Sequence, residues 1–104
     1  MPWFIKRETF LWPREHLRPH LEAHVSWVRS LQQQGHHISS GYLVDDQGQP
    51  GGGGLLLLEA GDFSSALALI EQDPMVRSGG VIWQLHQWMA VVGDLAMQEE
   101  NPGS

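Results

Sequence analysis

The chain has 104 residues, a formal net charge of −6 and no cysteine, and 41% of its residues are hydrophobic. This composition is typical of one globular domain with a modest core, and it excludes disulfides and cysteine-based zinc sites. Six basic residues against twelve acidic ones do not provide the basic face that nucleic acid requires, and no apolar run is long enough for a signal core or a membrane span. We therefore expect a cytoplasmic protein with no nucleic-acid partner and no membrane partner.

The first part of the chain predicts a strand, a helix and a second strand. Large and polar residues alternate over about 3–10 with the period of a strand, and Pro13 ends the predicted strand. Residues 13–18 are expected to form a loop or a short turn, because proline suits the first position of a helix but breaks a helix interior. The helix that starts at Pro19 runs to Gly35, a good C-terminal cap, and "HHISSGYLV" at 36–44 follows as a strand.

The second part of the chain predicts a hairpin, a second helix and a last strand. The glycine-rich "DDQGQPGGGG" is typical of a hairpin loop, and the aliphatic run after it of a strand. Asp62 is a strong N-cap candidate for the second helix. This part of the chain is therefore predicted as a loop at 45–54, a strand at 53–60 and a helix at 61–72. A turn at 73–80 and a last strand at 81–92 follow.

The order of these elements is β-α-β-β-α-β, which predicts the ferredoxin-like class of α+β folds. In this fold a four-stranded antiparallel sheet carries both helices on one face. We expect residues 1–95 to form this single domain. The polar residues 96–104 are expected to be a disordered tail.

The last predicted strand is apolar on both of its sides. Val81, Trp83 and Leu85 alternate with a second set that includes Ile82 and Trp88. Two helices cover only one face of the sheet, so the other face needs a different cover. A second copy of the sheet is the simplest cover, and the sequence therefore predicts a homodimer.

Histidine occurs at every fourth position in "REHLRPHLEAHVSWV", as His16, His20 and His24. A helical wheel drawn from Pro19 places His24 near the middle of the apolar arc and His20 at its edge, while His16 precedes the helix. A metal site is a minor alternative, because no glutamate follows the first histidine as it does in the zinc-protease helix motif. We predict no metal or other cofactor, and a buried, purely structural His24 remains an alternative.

Small residues on the second strand are candidates for lining a site near His24. Ser40 and Gly41 offer small polar contacts there, although the glycine alternatively serves close packing of helix on sheet. A Ser-His-Asp acyl-transfer triad of Ser40, His24 and Asp73 is disfavoured, because no nucleophile elbow surrounds the serine. The glycines at 51–54 are not a phosphate-binding loop, since no Lys-Ser/Thr pair follows and a strand rather than a helix comes next.

Further candidates lie on the aromatic and charged positions of the strands and the first helix. Trp27 either lines a ligand pocket or belongs to the core or the dimer interface. His86 shares a strand face with Trp88 and is assigned either to a pocket or to the dimer interface. Lys6 and Arg7 point to opposite faces of the first strand, so one of them should meet a ligand anion or an acidic side chain in the interior.

Several segments follow one another in a distinctive order and spacing. They are the helix with His24 and, eleven residues later, Gly35, then "SSGY", "GGGGLLLLEA", "DFSSALALIEQDPM" and "VIWQLHQW". Together they resemble the YCII-related (YciI-like) family of dimeric α+β-barrel proteins. The resemblance covers almost the whole chain and implies an active-site pair of His24 and Asp73. It also implies dimerisation as an α+β barrel. A few members of the family are linked to dehalogenation or lyase steps on chlorinated aromatic breakdown products. The four-glycine hairpin and His20 depart from the commoner pattern and leave the substrate open.

The leading hypothesis is acid/base chemistry of lyase, isomerase or dehalogenase type on a small organic molecule. Asp73 is expected at the end of the second helix, and both helices cover the same side of the sheet, so its side chain can meet His24. His24 would transfer the proton, Asp73 would orient the ring, and Ser40 and Gly41 would line the site. The alternative is a non-catalytic module for small-ligand binding or interaction that uses His24 as an anchor.

Overall fold

The four strands of the chain form one antiparallel sheet in the order β2-β3-β1-β4. A computed structural model describes residues 1–97, and none of their helices has the length and apolar character needed to cross a membrane. The elements are β1 (Trp3–Phe10), α1 (Arg14–Gln33), β2 (Ile38–Val44), β3 (Pro50–Glu59), α2 (Phe63–Ile70), α3 (Pro74–Ser78), β4 (Val81–Trp88) and α4 (Asp94–Met97). The strand order is that of the ferredoxin-like α+β fold and confirms the predicted class. Of the predicted tail 96–104, the first two residues belong to α4 instead, and the rest lies outside the described residues.

Alternation along the central strand β1 separates the two faces of the sheet. Phe4, Lys6 and Glu8 are buried on the face that carries the helices, and the residues between them point the other way. In the sheet register Lys6 pairs with Leu56 of β3, and Leu56 pairs with Ser40 of β2. Lys6 and Ser40 therefore lie in one cross-strand row on the helix-bearing face.

The main core lies between this face and the helices. Each of its large aliphatic or aromatic side chains stabilises the fold by about 1.5–3 kcal/mol when fully buried. The cluster is made of Phe4, Leu31, Ile38, Leu56, Leu58, Ala60, Ala66 and Ile70. Leu17, Met75 and Val81 form a second buried cluster that joins α1 to α3 and β4.

Helix α1 begins five residues before Pro19, so the expected loop between the two prolines is wrong. Pro19 has no N–H and removes the intrahelical bond to the carbonyl of Glu15. Glu15 is exposed, so water can replace that bond, and Leu17 anchors the early turns in the second core cluster. Tertiary packing therefore overrides the helix-breaking tendency of Pro19.

The predicted stop at Gly35 is close to the observed end of α1. Gly35 has a left-handed φ of +97°, which glycine adopts without strain. Its N–H donates to Gln32 O, and the N–H of His36 donates to Leu31 O. This pair of bonds is a Schellman motif, which satisfies the last carbonyls of the helix.

The predicted hairpin loop is too long, because the four glycines belong to strand β3. Gly54 pairs with Glu8 on one side and Tyr42 on the other, and the turn itself is confined to Asp45–Gln49. Gly53 has φ +92°, and an added Cβ would overlap the carbonyl oxygen of Glu8. The glycines therefore permit a close approach of strands rather than forming a flexible tip.

The segment predicted as a turn after the second helix contains the short helix α3. Helix α2 ends at Ile70, so the expectation that Asp73 ends it is wrong. Asp73 is instead the N-cap of α3, and its carboxylate accepts the N–H of Met75 at 2.9 Å. Pro74 follows at the first helical position, which suits proline because no intrahelical donor is needed there. The last strand also ends earlier than predicted, at Trp88 rather than residue 92.

The face of the sheet opposite the helices is rich in apolar side chains. Alternation in β4 directs Val81, Trp83 and Leu85 towards the helices, and Ile82 on the other face is 57% exposed. Side chains from all three neighbouring strands β3, β1 and β4 contribute to this surface, which we call the open face. Its apolar members are Trp3, Ile5, Leu55, Leu57, Ile82 and Trp88.

Candidate functional site

A chain of polar contacts joins helix α1, helix α3 and strand β2. Nδ1 of His24 lies 2.7 Å from Oδ1 of Asp73, and Nε2 of the same ring lies 2.7 Å from Oγ of Ser40. His24 is 5% exposed and Asp73 is fully buried. The structure thus brings together three of the residues singled out in the sequence.

The ionisation of Asp73 determines which imidazole nitrogen donates a hydrogen bond. Burial raises the pKa of Asp73, but the hydrogen bond from His24 and the positive charge of Lys6 outweigh it, so the pKa lies below its ordinary value. An ionised carboxylate only accepts, so Nδ1 of His24 donates to it. When the ring is neutral, Nε2 is left as an acceptor for the hydroxyl of Ser40.

Lys6 compensates the negative charge of two buried carboxylates. It is 2% exposed, and its Nζ lies 2.9 Å from Oδ2 of Asp73 and 2.5 Å from Oε1 of Glu8. The sequence indicated that either Lys6 or Arg7 points inward. Lys6 does so and meets acidic side chains, while Arg7 is exposed. Because an unpaired buried charge is costly, this trio fixes Asp73 beneath the imidazole.

A cleft of about 600 Å³ opens beside the His24–Ser40 contact. Both residues contribute to its wall, as do Glu8 and Gly41. Gly54 lies across from Glu8, where an added Cβ would come within 3.0 Å of the carboxylate, so glycine leaves room for that side chain. The remaining walls are largely apolar and include Phe10, Trp12, Leu17, Leu21, Val25 and Met75. Such a cavity suits a small, partly apolar ligand.

Two of the predicted ligand-binding residues lie away from this cleft. Trp27 packs beside His24, with ring centroids 5.8 Å apart, and contacts the main core rather than lining the cleft. Within residues 1–97 its Nε1 is buried without a hydrogen-bond partner. His86 pairs with Ile5 across the strands and lies on the open face. Ser40 and Gly41, by contrast, both line the cleft.

The histidine run does not converge on one point. His16 is exposed, and the ring of His20 contacts Trp12 at a centroid distance of 5.8 Å. His24 alone of the three bonds to Asp73. Among the described residues, no group of three histidine, cysteine or acidic side chains is placed to hold a metal ion.

Sequence reasoning missed three charged residues of the cleft: Glu8, Arg14 and Arg18. The period-two pattern that directs Lys6 inward also directs Glu8 to the same face. The arginines were missed because the segment that carries them was expected to be a loop. A helix wheel extended back to Arg14 would have placed both on the side of Leu21 and Val25.

The fold and the buried His24–Asp73 pair describe an α+β protein in which His24 is the histidine that lines the cleft within residues 1–97. The profile of the YCII-related domain matches residues 2–88, so the chain belongs to the YCII-related domain family, as its resemblance predicted. A comparison with curated proteins gives no match.

A solved structure with the same fold is 5-chloro-2-hydroxyhydroquinone dehydrochlorinase (TftG) from Burkholderia phenoliruptrix, in complex with 2,5-dihydroxybenzoquinone. The TM-score is 0.63 at 19% sequence identity, and the match covers 83% of this chain and 92% of that one. At this identity the likeness establishes the shared fold.

The charge balance around Lys6 is testable by its removal. Lys6→Met leaves Asp73 and Glu8 buried without their cation, so we expect the free energy of unfolding to fall by about 3–5 kcal/mol. Urea denaturation at neutral pH measures this change. The double variant Lys6→Met/Glu8→Gln should recover part of the loss, because one of the two uncompensated charges is gone.

The matched control is Arg29→Met, which removes a cation from the exposed surface of α1 and should change the free energy of unfolding by less than about 0.5 kcal/mol. Equal stability of the Lys6→Met and Arg29→Met proteins would show that the buried cation is not needed.

Proposed function

We propose that this protein is an enzyme in which His24 accepts a proton during elimination or isomerisation of a small cyclic molecule. The observation that carries the proposal is the continuous contact from buried Asp73 through His24 to Ser40, which ends at the wall of an apolar cleft. A purely structural histidine needs hydrogen-bond partners for its ring nitrogens, but it does not need a contact with a residue that lines a cavity. Here Nε2 accepts a hydrogen bond from Ser40, and that serine is itself exposed.

The contacts define a direction for proton transfer. A ligand hydroxyl that binds beside Ser40 passes its proton to Nε2 of His24, either directly or through Oγ of Ser40. Asp73 accepts the Nδ1–H and stabilises the imidazolium that results. In a ring tautomer whose chlorine-bearing carbon also carries a hydrogen and is allylic to the enol, the electrons of the broken O–H bond form a carbonyl. The enol double bond shifts towards that carbon, and chloride departs with its bonding pair.

The size and polarity of the cleft support a substrate with one or two rings. About 600 Å³ accommodates a small aromatic or quinonoid molecule, and the wall is largely apolar, with His24, Ser40 and Glu8 among its polar members. The dehydrochlorinase with the same fold was solved with 2,5-dihydroxybenzoquinone. Chlorinated polyhydroxybenzenes are therefore the first substrates to test.

Serine-based acyl transfer is a second candidate, which the 2.7 Å contact between Ser40 and His24 favours. The serine lies within strand β2, however, and not at a strand-to-helix turn that would expose a nucleophile beside backbone donors. The two mechanisms differ in what they require of the Ser40 hydroxyl. Proton transfer can proceed directly from ligand to His24, whereas acyl transfer cannot proceed without Oγ.

The proposal predicts that activity depends on His24 far more than on Ser40. His24→Gln should lower kcat for chloride release from 5-chloro-2-hydroxyhydroquinone by about 100-fold to 10,000-fold, the usual contribution of a general base. Ser40→Ala should cost about tenfold, because it removes one hydrogen bond to the ring but leaves the base. Chloride release and product absorbance measure both rates.

The matched control is His16→Gln, on the same helix but exposed, which should keep the wild-type rate. Complete loss of activity in Ser40→Ala would favour acyl transfer instead. Binding of the probe at His24 without turnover by the wild-type protein would favour a ligand-binding module, and wild-type activity in His24→Gln would refute the proposed base.

We also propose that the protein is a homodimer formed through the open face. Burying exposed apolar side chains is favourable, and the open face presents Ile82 at 57% exposure beside Leu55, Leu57 and the flanking tryptophans. A two-fold contact between identical open faces would cover both surfaces at once. The helices and the cleft lie on the opposite side of the sheet and stay free.

A charge on the open face should therefore dissociate the dimer. Ile82→Glu places a carboxylate in the proposed contact, and light scattering coupled to size exclusion should show the mass falling from twice the 11.7 kDa chain to one chain. Gln33→Glu, at the exposed end of α1, adds the same charge elsewhere and should remain dimeric. A wild-type protein that elutes as a monomer would contradict the proposal.

A further inference from the structure

We propose that the cleft takes a ligand with an anionic group, a carboxylate on a cyclic body, and that Arg14 and Arg18 bind it. Both arginines line the same cleft as His24 and Ser40. They are four residues apart on α1, so their side chains lie on one face of the helix. This inference rests on the proposed function and adds the substrate class.

Within the part of the chain that the structure describes, neither arginine forms an ion pair. Among residues 1–97, no carboxylate lies within 4 Å of either guanidinium, although Glu15 and Glu22 occupy the same helix. The chain has only five arginines and a net charge of −6. Two of these few cations therefore line one cleft without a carboxylate partner among residues 1–97.

The position of the two arginines is unfavourable for the helix. Arg14 is the first residue of α1 and Arg18 lies one turn later, near the positive end of the helix dipole. Cations at that end destabilise a helix by a few tenths of a kcal/mol, roughly, and acidic residues are preferred there. Stability of α1 therefore does not account for them, whereas binding of an anion does. Guanidinium groups suit carboxylates because they donate two parallel hydrogen bonds.

The charges in the cleft also set the orientation of the ligand. Asp73 contacts His24, Glu8 shares Lys6 with Asp73 and lines the cleft, and the arginines lie at the start of α1. Arg18 and His24 are six positions apart on α1, which corresponds to about 9 Å along the helix. A carboxylate at the arginines therefore places a hydroxyl on the far side of one or two rings beside Ser40.

The test uses 6-hydroxy-2-naphthoate and its neutral amide, which differ in charge but hardly in shape. Binding is measured by NMR titration, with the His24 ring and the Ser40 amide as reporters of the cleft. The acid should bind about tenfold more tightly than the amide, as expected for a charge-assisted contact in place of a neutral one. Arg14→Gln/Arg18→Gln should abolish that preference.

Two matched variants make the result specific. Arg29→Gln removes a cation from elsewhere on α1 and should keep the preference, and Arg14→Lys/Arg18→Lys should retain part of it because the charge remains. Equal affinities for acid and amide, with shifts at His24 and Ser40, would overturn this inference while leaving the proposed function intact. The absence of shifts at His24 and Ser40 with either probe would overturn both.

Discussion

The buried carboxylate of Asp73 is the group on which the candidate site depends. It accepts hydrogen bonds from the ring of His24 and the backbone N–H of Met75, and it forms an ion pair with Lys6. These contacts come from α1, α3 and β1, so one side chain connects both layers of the fold. A buried charge is tolerated only when its partners are in place, and the requirement that stabilises Asp73 therefore also positions His24.

Local structure explains why Asp73 can serve this role. Its backbone is extended at the N-cap of α3, so the carboxylate turns back over the first turn of the helix, where it meets the N–H of Met75. Oδ1 is thereby shared between the cap and His24, and Oδ2 is left for Lys6. A cap residue is held in one rotamer by its own helix, which gives the imidazole a rigid acceptor.

Sequence patterns predicted the fold and the inward orientation of His24, because both depend on the periodicity of apolar residues. The inward orientation of His24 was correct although the helix start was wrong, since the helical phase does not depend on where the helix begins. The pairing with Asp73 came from the family resemblance, and local reasoning placed that residue at the end of α2 instead of the start of α3. The tolerance of Pro19 could not be predicted, because it depends on the exposure of Glu15 and the burial of Leu17. For the same reason the arginines of the cleft were missed.

The most direct test of this account is the tautomer of the His24 ring, read from long-range ¹H–¹⁵N correlation spectra at about pH 9, well above the ordinary imidazole pKa. Asp73 should hold the proton on Nδ1 and leave Nε2 unprotonated, and Asp73→Asn should remove this preference. A neutral His24 ring that carries its proton on Nε2 in the wild-type protein would contradict the arrangement by which Asp73 orients the base towards the cleft.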